Sequence, residues 1–259
     1  MKVLKGAWRH WMLITTLARR QFQLRYRQSA VGVLWAILPT LGTLLASTFV
    51  FHKVAGVSSG TKPYALVTLS ALVPWSFFAA SLSTGVPSIA NAQPLVTRLA
   101  FPKVVIPLSN VGTSLIDMCT TTAIFLAWVI VARIGLPVTV LWFPVLVVLE
   151  LVLIVGVLLF CSALNVFARD MKLLVPVVTS LWLLVTPVMY PLSAVPADLR
   201  GLYLLNPMTG LVESFRGVLL YGVPPHLSYL IPSIIGGAVF LVVGSWYFGA
   251  TEPRFADVI

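Results

Sequence analysis

The chain has 259 residues, 59% hydrophobic and only 9% charged, with a formal net charge of +10. Soluble proteins carry about 25% charged residues, and the apolar residues here run in blocks too long for a globular core, which excludes a soluble two-domain enzyme. Seven of the 17 basic residues fall in the first 27 positions, beside the first apolar block, so the charge reads as a layer facing anionic lipid and not as a nucleic-acid footprint.

A spanning helix takes roughly 20 mostly apolar residues, which leaves room for about six spans. In residues 1–30, Lys5, Arg9, Thr16, Arg19, Arg20, Gln23 and Arg27 share one arc at 100° per residue. Trp8, Trp11, Phe22 and Tyr26 share the next, which predicts a helix lying in the interface. Arg25 falls outside the basic arc, so the helix is expected to tuck against protein as well as lipid. No apolar run of roughly 7 to 15 residues follows the basic start before Val31, so the segment does not read as a cleavable signal peptide.

Span 1 is expected over 31–51, with Pro39 kinking it or leaving a backbone gap for neighbours to fill. A Gly- and Ser-containing loop over 52–63 leads to span 2 over 64–86, interrupted at Pro74-Trp75. Ser88 to Phe101 is polar, basic and bounded by prolines, and reads as a short helical elbow on the same side as the N-terminus. Span 3 (104–132) carries Asp117 and span 4 (138–167) carries Glu150, with a tight turn over 133–137 between them. Arg169-Asp170-Met171-Lys172 marks the return to the starting side, and span 5 is expected over 173–190.

The stretch 191–226 has no spanning block. Asn206-Pro207 supplies an N-cap followed by Pro at the first helical position. Met208, Leu211, Val212, Phe215, Val218 and Leu219 follow at helical spacing, with Glu213 and Arg216 on the opposite face, which predicts a helix half-buried at the outer surface. Span 6 (227–250) and a short tail (251–259) complete a single transmembrane domain over 1–259, all-α and polytopic. Twelve of the Lys and Arg residues lie on the N-terminal side and five on the other, so both termini are expected in the cytoplasm.

No phosphate loop, nucleophile elbow, His-Glu-x-x-His or closely spaced pair of carboxylates occurs, so no catalytic or metal site is expected. Any ATP hydrolysis belongs to another subunit. Asp117 and Glu150, the acids within spans, read as polar contacts between helices or carboxylates at a cavity wall; a proton relay in an ion-coupled carrier is the alternative. Cys119 and Cys161 lie in apolar blocks without metal spacing and read as small buried hydrophobes.

Several short stretches follow one another in order: Arg25-Tyr26-Arg27-Gln28-Ser29 with Leu34-Trp35, Phe101-Pro102-Lys103 with Pro107-Leu108, Leu164 to Asp170, Thr186 to Tyr190, and Leu205 to Thr209. Together they resemble the membrane subunit of ABC-2 type exporters, most closely the branch that moves lipid-linked O-antigen, capsule or teichoic acid chains. The likeness runs from about Arg19 to the C-terminus; Ala168, where relatives often carry a second aromatic, is a local departure.

The resemblance implies a bacterial inner-membrane permease without an ATPase site of its own, moving an undecaprenyl-linked polysaccharide. Two copies would work with two nucleotide-binding ATPase subunits that hold ATP and Mg. The elbow would be the cytoplasmic coupling helix, with Asn91, Gln93, Pro94, Arg98 and Phe101 meeting the ATPase and Arg169 and Asp170 as a second contact. Residues 191–226 would form re-entrant outward-side gate helices, with Asn206, Pro207, Glu213 and Arg216 as gate residues. A glycan conduit wants aromatic faces for stacking, for which Trp35, Trp75, Phe77, Phe78, Trp128, Trp182 and Tyr190 are candidates, although rings near span ends ordinarily anchor a helix at the interface. Arg19, Arg20, Arg25 and Arg27 are placed for a lipid pyrophosphate, or for anionic membrane lipid. Alternatives are an ABC-2 exporter of a small amphiphile, an ion-coupled carrier, or a membrane glycosyltransferase.

Overall fold

Apolar runs with few charges leave the backbone no partner in lipid but its own helix, and the computed structural model, which describes residues 10–26, 34–56, 62–98 and 101–258, is helical, with no strand among them. In chain order the helices are α1 (Trp11–Tyr26), α2 (Leu34–Ser47, widening into a π turn Thr48–Val54), α3 (Tyr64–Gly85), α4 (Ser88–Asn91), α5 (Gln93–Arg98) and α6 (Val105–Val131). After a 3-10 turn Val138–Trp142 come α7 (Phe143–Phe167), α8 (Met171–Val185), α9 (Arg200–Leu205), α10 (Pro207–Arg216, running into a π turn Gly217–Tyr221), α11 (Leu227–Thr251) and α12 (Phe255–Val258). Among the described residues five segments are long and apolar enough to cross a membrane: Ile37–Val54, Tyr64–Gly85, Val105–Val131, Val138–Phe167 and Leu227–Arg254. α8 is apolar but shorter.

α3 is the central helix. Most of its 22 residues are buried, against α6, α7, α8 and α10. The expected interruption at Pro74-Trp75 is not there: the helix runs through both residues, because neighbours on several sides hold it in line where the proline removes a backbone donor. α2 likewise runs through Pro39, and its register slips only later, where the π turn lets Ala55 N–H donate to Val50 O.

α7 and α11 make the closest helix pair. Gly156 and Gly244 face each other there: a Cβ on Gly156 would land on the backbone of Phe240 and Leu241, and one on Gly244 on the carbonyl of Gly156. Small residues let two backbones approach this closely.

At the end of the bundle that holds α4 and α5, a second apolar cluster joins Ile89, Val96, Val104, Leu159, Val166, Phe248 and Phe255. Lys103 N–H donates to Glu252 Oε1 at 2.6 Å, so the C-terminal segment is tied to the chain that leaves the elbow. The elbow itself is two short helices, broken at Ala92.

α1 is tucked against protein, as its imperfect amphipathicity predicts. It lies on α6, with Gln21 Nε2 donating to Ser109 Oγ at 3.0 Å and Gly112 leaving room for Ala18. Arg19 and Arg20 are exposed on its other side. The readings on Arg27, on the start of span 1 at Val31 and on Ser58 to Gly60 fall outside the described residues, as do those resting on the side chains of Arg25, Trp35 and Arg98.

Three further expectations change. The helix of span 5 stops at Val185 instead of Tyr190, because Thr186 precedes Pro187 and takes the extended conformation that such residues favour. Cys119 is exposed on the isolated chain and Cys161 only partly buried, since both lie off the inward faces of their helices. Most consequentially, Glu213 and Arg216 do not point away from the protein.

Candidate functional site

The segment 191–226 is a helical hairpin pinned at two points. At its turn Asn206 caps α10, its Oδ1 accepting from Met208 N–H at 3.0 Å and from Trp182 Nε1 at 2.9 Å, while its Nδ2 donates to Thr186 Oγ1 at 2.9 Å. One side chain thus starts α10 and ends α8, and the N-cap predicted from Asn-Pro is present.

At the other end of α10, Arg216 is 1% exposed. Its guanidinium donates to Glu213 Oε1, to Pro187 O at 2.7 Å and to Val188 O at 3.1 Å. Glu213 Oε1 also accepts from Leu192 N–H at 2.8 Å. The half-buried helix with a solvated polar face is therefore corrected: α10 is enclosed on both faces. The carbonyls freed where Pro187 stops α8 attract the guanidinium inward, and its fork-shaped donor set can serve several acceptors at once.

Between α2, α3, α6 and α8 lies a groove of about 350 Å³ lined by Pro39, Thr40, Thr43, Leu72, Trp75, Ser76, Ala79, Ala80, Ser83, Asp117, Thr121 and Leu183. Its wall is mostly apolar, with the hydroxyls of Thr40, Thr43, Ser76, Ser83 and Thr121 and the Asp117 carboxyl among the lining groups. Three of its hydroxyls are tied to their own helices: Thr43 donates to Pro39 O, Ser76 to Val73 O and Thr121 to Asp117 O. What they leave toward the groove is mainly oxygen lone pairs, with the Asp117 carboxyl beside them, so the groove suits water or a ligand that brings hydroxyl donors. Asp117 thus stands at a cavity wall, one of the two arrangements expected for it.

Glu150 is a different case. It is fully buried, and among the described residues neither carboxyl oxygen accepts a hydrogen bond. The expected polar contact between helices is absent; α7 buries Leu146, Glu150, Leu153 and Ile154 on one apolar face. Glu150→Met, which keeps the volume and removes the unsatisfied oxygens, should raise thermal stability in detergent by about 1–3 kcal/mol. A lowered melting temperature would show that the carboxyl makes a stabilising contact.

The elbow and the 168–172 turn come together. Asn91, Gln93 and Arg169 line one pocket of about 150 Å³ with Pro87, Ala90, Asn165, Val166 and Lys172. Pro94 and Asp170 are exposed nearby on the same segments. Phe101 is partly buried, with the Lys103 ammonium 4.9 Å from its ring centre.

The candidate aromatics separate. Trp75 faces the groove. Phe77 and Phe78 are sealed in the core and offer no surface to a ligand. Trp182 packs edge-on to Phe78 at 5.1 Å while donating to Asn206. Tyr190 donates to Leu184 O and its oxygen accepts from the Tyr203 hydroxyl, and Trp128 is exposed on α6. The rings therefore do not form one stripe.

Sequence reasoning missed Thr40, Thr43, Ser76, Ser83 and Thr121, although Asp117/Thr121 four apart and Ser76/Ser83 seven apart put polar groups on single helix faces. It also missed Lys172 and Asn165, whose meeting with the elbow depends on how α4 packs on α7.

The family profile described as ABC-2 type transporter matches residues 12–220. Two Klebsiella pneumoniae proteins described as "O-antigen export system permease protein RfbA" are 29% identical over 249 residues and 28% over 251, each covering 95% of both chains. A Myxococcus xanthus protein of the same description is 30% identical over 250 residues, again covering 95% of both.

Proposed function

Because the chain belongs to the ABC-2 type transporter family, a family of multi-pass transport components, we propose that it is the membrane-spanning permease of an exporter that moves lipid-linked polysaccharide of the O-antigen kind across a bacterial inner membrane. The observation that carries this reading is the similarity to three O-antigen export permeases over 95% of both partners, with no large insertion needed to align them. The acceptor-lined groove beside Trp75 supports it, since a glycan brings many hydroxyl donors and apolar C–H faces that stack on rings.

In this reading α8 is the fifth of six spans. At about 1.5 Å per residue its 15 residues fall short of the hydrocarbon thickness, and the hairpin that Asn206 and Arg216 fasten to its end fills the remaining depth as the outward-side gate. The 12-to-5 bias of basic residues supports an orientation with the N-terminus, α4, α5, the Arg169-Asp170 turn and the C-terminus in the cytoplasm. The elbow is the coupling element for a separate ATPase subunit that carries ATP and Mg. Two permeases assemble with two such subunits around a path for an undecaprenyl-linked chain. Arg19 and Arg20, exposed on α1, with Arg25 and Arg27, receive its pyrophosphate.

Co-purification in mild detergent with the ATPase subunit tests the reading: a stable complex whose ATP hydrolysis exceeds that of the ATPase alone is expected, and no association with no stimulation overturns it. Within that complex Arg98→Glu and Pro94→Leu should insert normally, keep hydrolysing ATP and lose at least about tenfold in export, a coupling loss of ~1.4 kcal/mol or more. Normal export by both variants removes the coupling role from the elbow.

A further inference from the structure

The pocket between the elbow and the 168–172 turn has a chemistry more specific than a generic contact surface. Its walls come from α4, α5, the end of α7 and the start of α8, and they carry the cations of Arg169 and Lys172 with no acidic side chain among the lining residues. Asp170, on the same turn, is not part of the lining. Among the described residues no acid forms an ion pair with Arg169 or Lys172; the pair present is Glu213–Arg216, at the far end of the bundle.

Asn165 sets the polarity of the pocket floor. It is 1% exposed, and its Oδ1 accepts from Lys172 N–H at 3.0 Å. That bond uses the oxygen of the amide to close the turn and leaves Nδ2, with its two hydrogens, as what the side chain offers to the space it lines. A buried amide donor, a guanidinium and an ammonium thus converge on a cavity of about 150 Å³. Two cations with no acidic side chain in the lining favour an anion, and a planar guanidinium favours a carboxylate in particular. The volume admits one side chain and excludes a sugar chain.

We propose that this pocket is a socket for a single carboxylate side chain, Asp or Glu, presented by the ATPase subunit. The proposal rests on the reading that such a subunit docks at the elbow, and it names the chemistry of that contact. Seated between α4 and the α7–α8 turn, the carboxylate touches both cytoplasmic segments at once. A push on it then moves the end of α3, through Pro87, together with the start of α8. Two contacts that look separate along the chain act as one.

The test uses the co-expressed permease and ATPase subunits, captured through a tag on the permease in mild detergent. Wild type should retain the ATPase at about 50 mM NaCl and lose at least about threefold by about 500 mM, as screened charge pairing requires. The charge reversal Arg169→Glu with Lys172→Glu should retain less than about a tenth of the wild-type amount at low salt, and the neutral pair Arg169→Gln with Lys172→Gln about a third, with less steep salt dependence. Both sites are exposed, so melting temperatures should match wild type, which separates a lost contact from a lost fold. Undiminished capture by the charge-reversed protein overturns the socket while leaving the docking reading intact. Capture that is unchanged while bound phosphatidylglycerol disappears from native mass spectra overturns it in favour of a lipid phosphate. If wild type retains no ATPase at any salt, the docking reading itself fails, and the socket with it.

Discussion

Arg216→Ala will destabilise the chain by about 3–5 kcal/mol, the range for removing one member of a buried, hydrogen-bonded ion pair. The guanidinium is 1% exposed, so water cannot replace it. Its loss strands the Glu213 carboxylate, keeping only its bond from Leu192 N–H, together with the carbonyls of Pro187 and Val188. Those carbonyls belong to the chain leaving α8, and Glu213 holds the chain entering the hairpin. The hairpin is therefore expected to detach from α8 and α3 before the rest of the bundle melts. Thermal unfolding in detergent should show an earlier transition, and export should be lost. Arg216→Lys keeps the charge but lacks the planar fork that reaches Glu213 and the carbonyls of Val67, Pro187 and Val188 together, so it recovers only part of the loss. Glu213→Leu with Arg216→Met removes both charges and should recover most of it, since a buried pair is often worth no more than its apolar replacement. A melting temperature for Arg216→Ala within about 2 °C of wild type would show that the pair does not hold the hairpin.

Gly244→Leu will separate α7 from α11 and cost about 3 kcal/mol or more, the upper end of overpacking, because the obstacle is backbone. The Cβ alone would meet the carbonyl of Gly156 and lie 3.3 Å from Phe160 N, neither of which can rotate away as a side chain can. Gly244→Ala meets the same obstacle with a smaller group and should also destabilise, in contrast to the usual gain from replacing a helical glycine by alanine. Gly236→Ala, whose Cβ would lie 2.9 Å from Cβ of Pro207, presses instead on the hairpin and should cost less. Size-exclusion profiles and melting curves in one detergent rank the three. Wild-type behaviour of Gly244→Leu would mean that the helices are not in backbone contact.

Much of the architecture was legible because a bilayer imposes a simple rule: long apolar segments become helices, and basic clusters mark where they stop. Spans 1, 2, 3, 4 and 6 follow from that rule to within a few residues at the ends that are described. The capped start at Asn206-Pro207 was legible because a cap is a local hydrogen bond with a local signature. The end of α8 was misjudged because Pro187-Val188-Met189-Tyr190 continues the hydropathy, while the backbone preference imposed by Pro187 ends the helix. The direction of Arg216 was misjudged for a related reason. Helical spacing separates an apolar face from a polar one, but it does not say whether the polar face meets water or freed carbonyls.

What the sequence by itself determined is the class of the molecule and where its long apolar helices lie, since transfer of side chains between water and hydrocarbon depends on composition and order along the chain. Only the tertiary structure decided which polar groups meet. Asp117 joins hydroxyls from α2, α3 and α6 around one groove, and Asn165 and Arg169 join Asn91 across more than seventy residues. Glu150 meets no polar group among the described residues, although along the chain it looks as promising as Asp117. The physical reason is that a polar side chain in an apolar bundle takes its meaning from its partner, and partners are brought together by close helix packing, such as that at Gly156 and Gly244, which periodicity within any one helix does not encode.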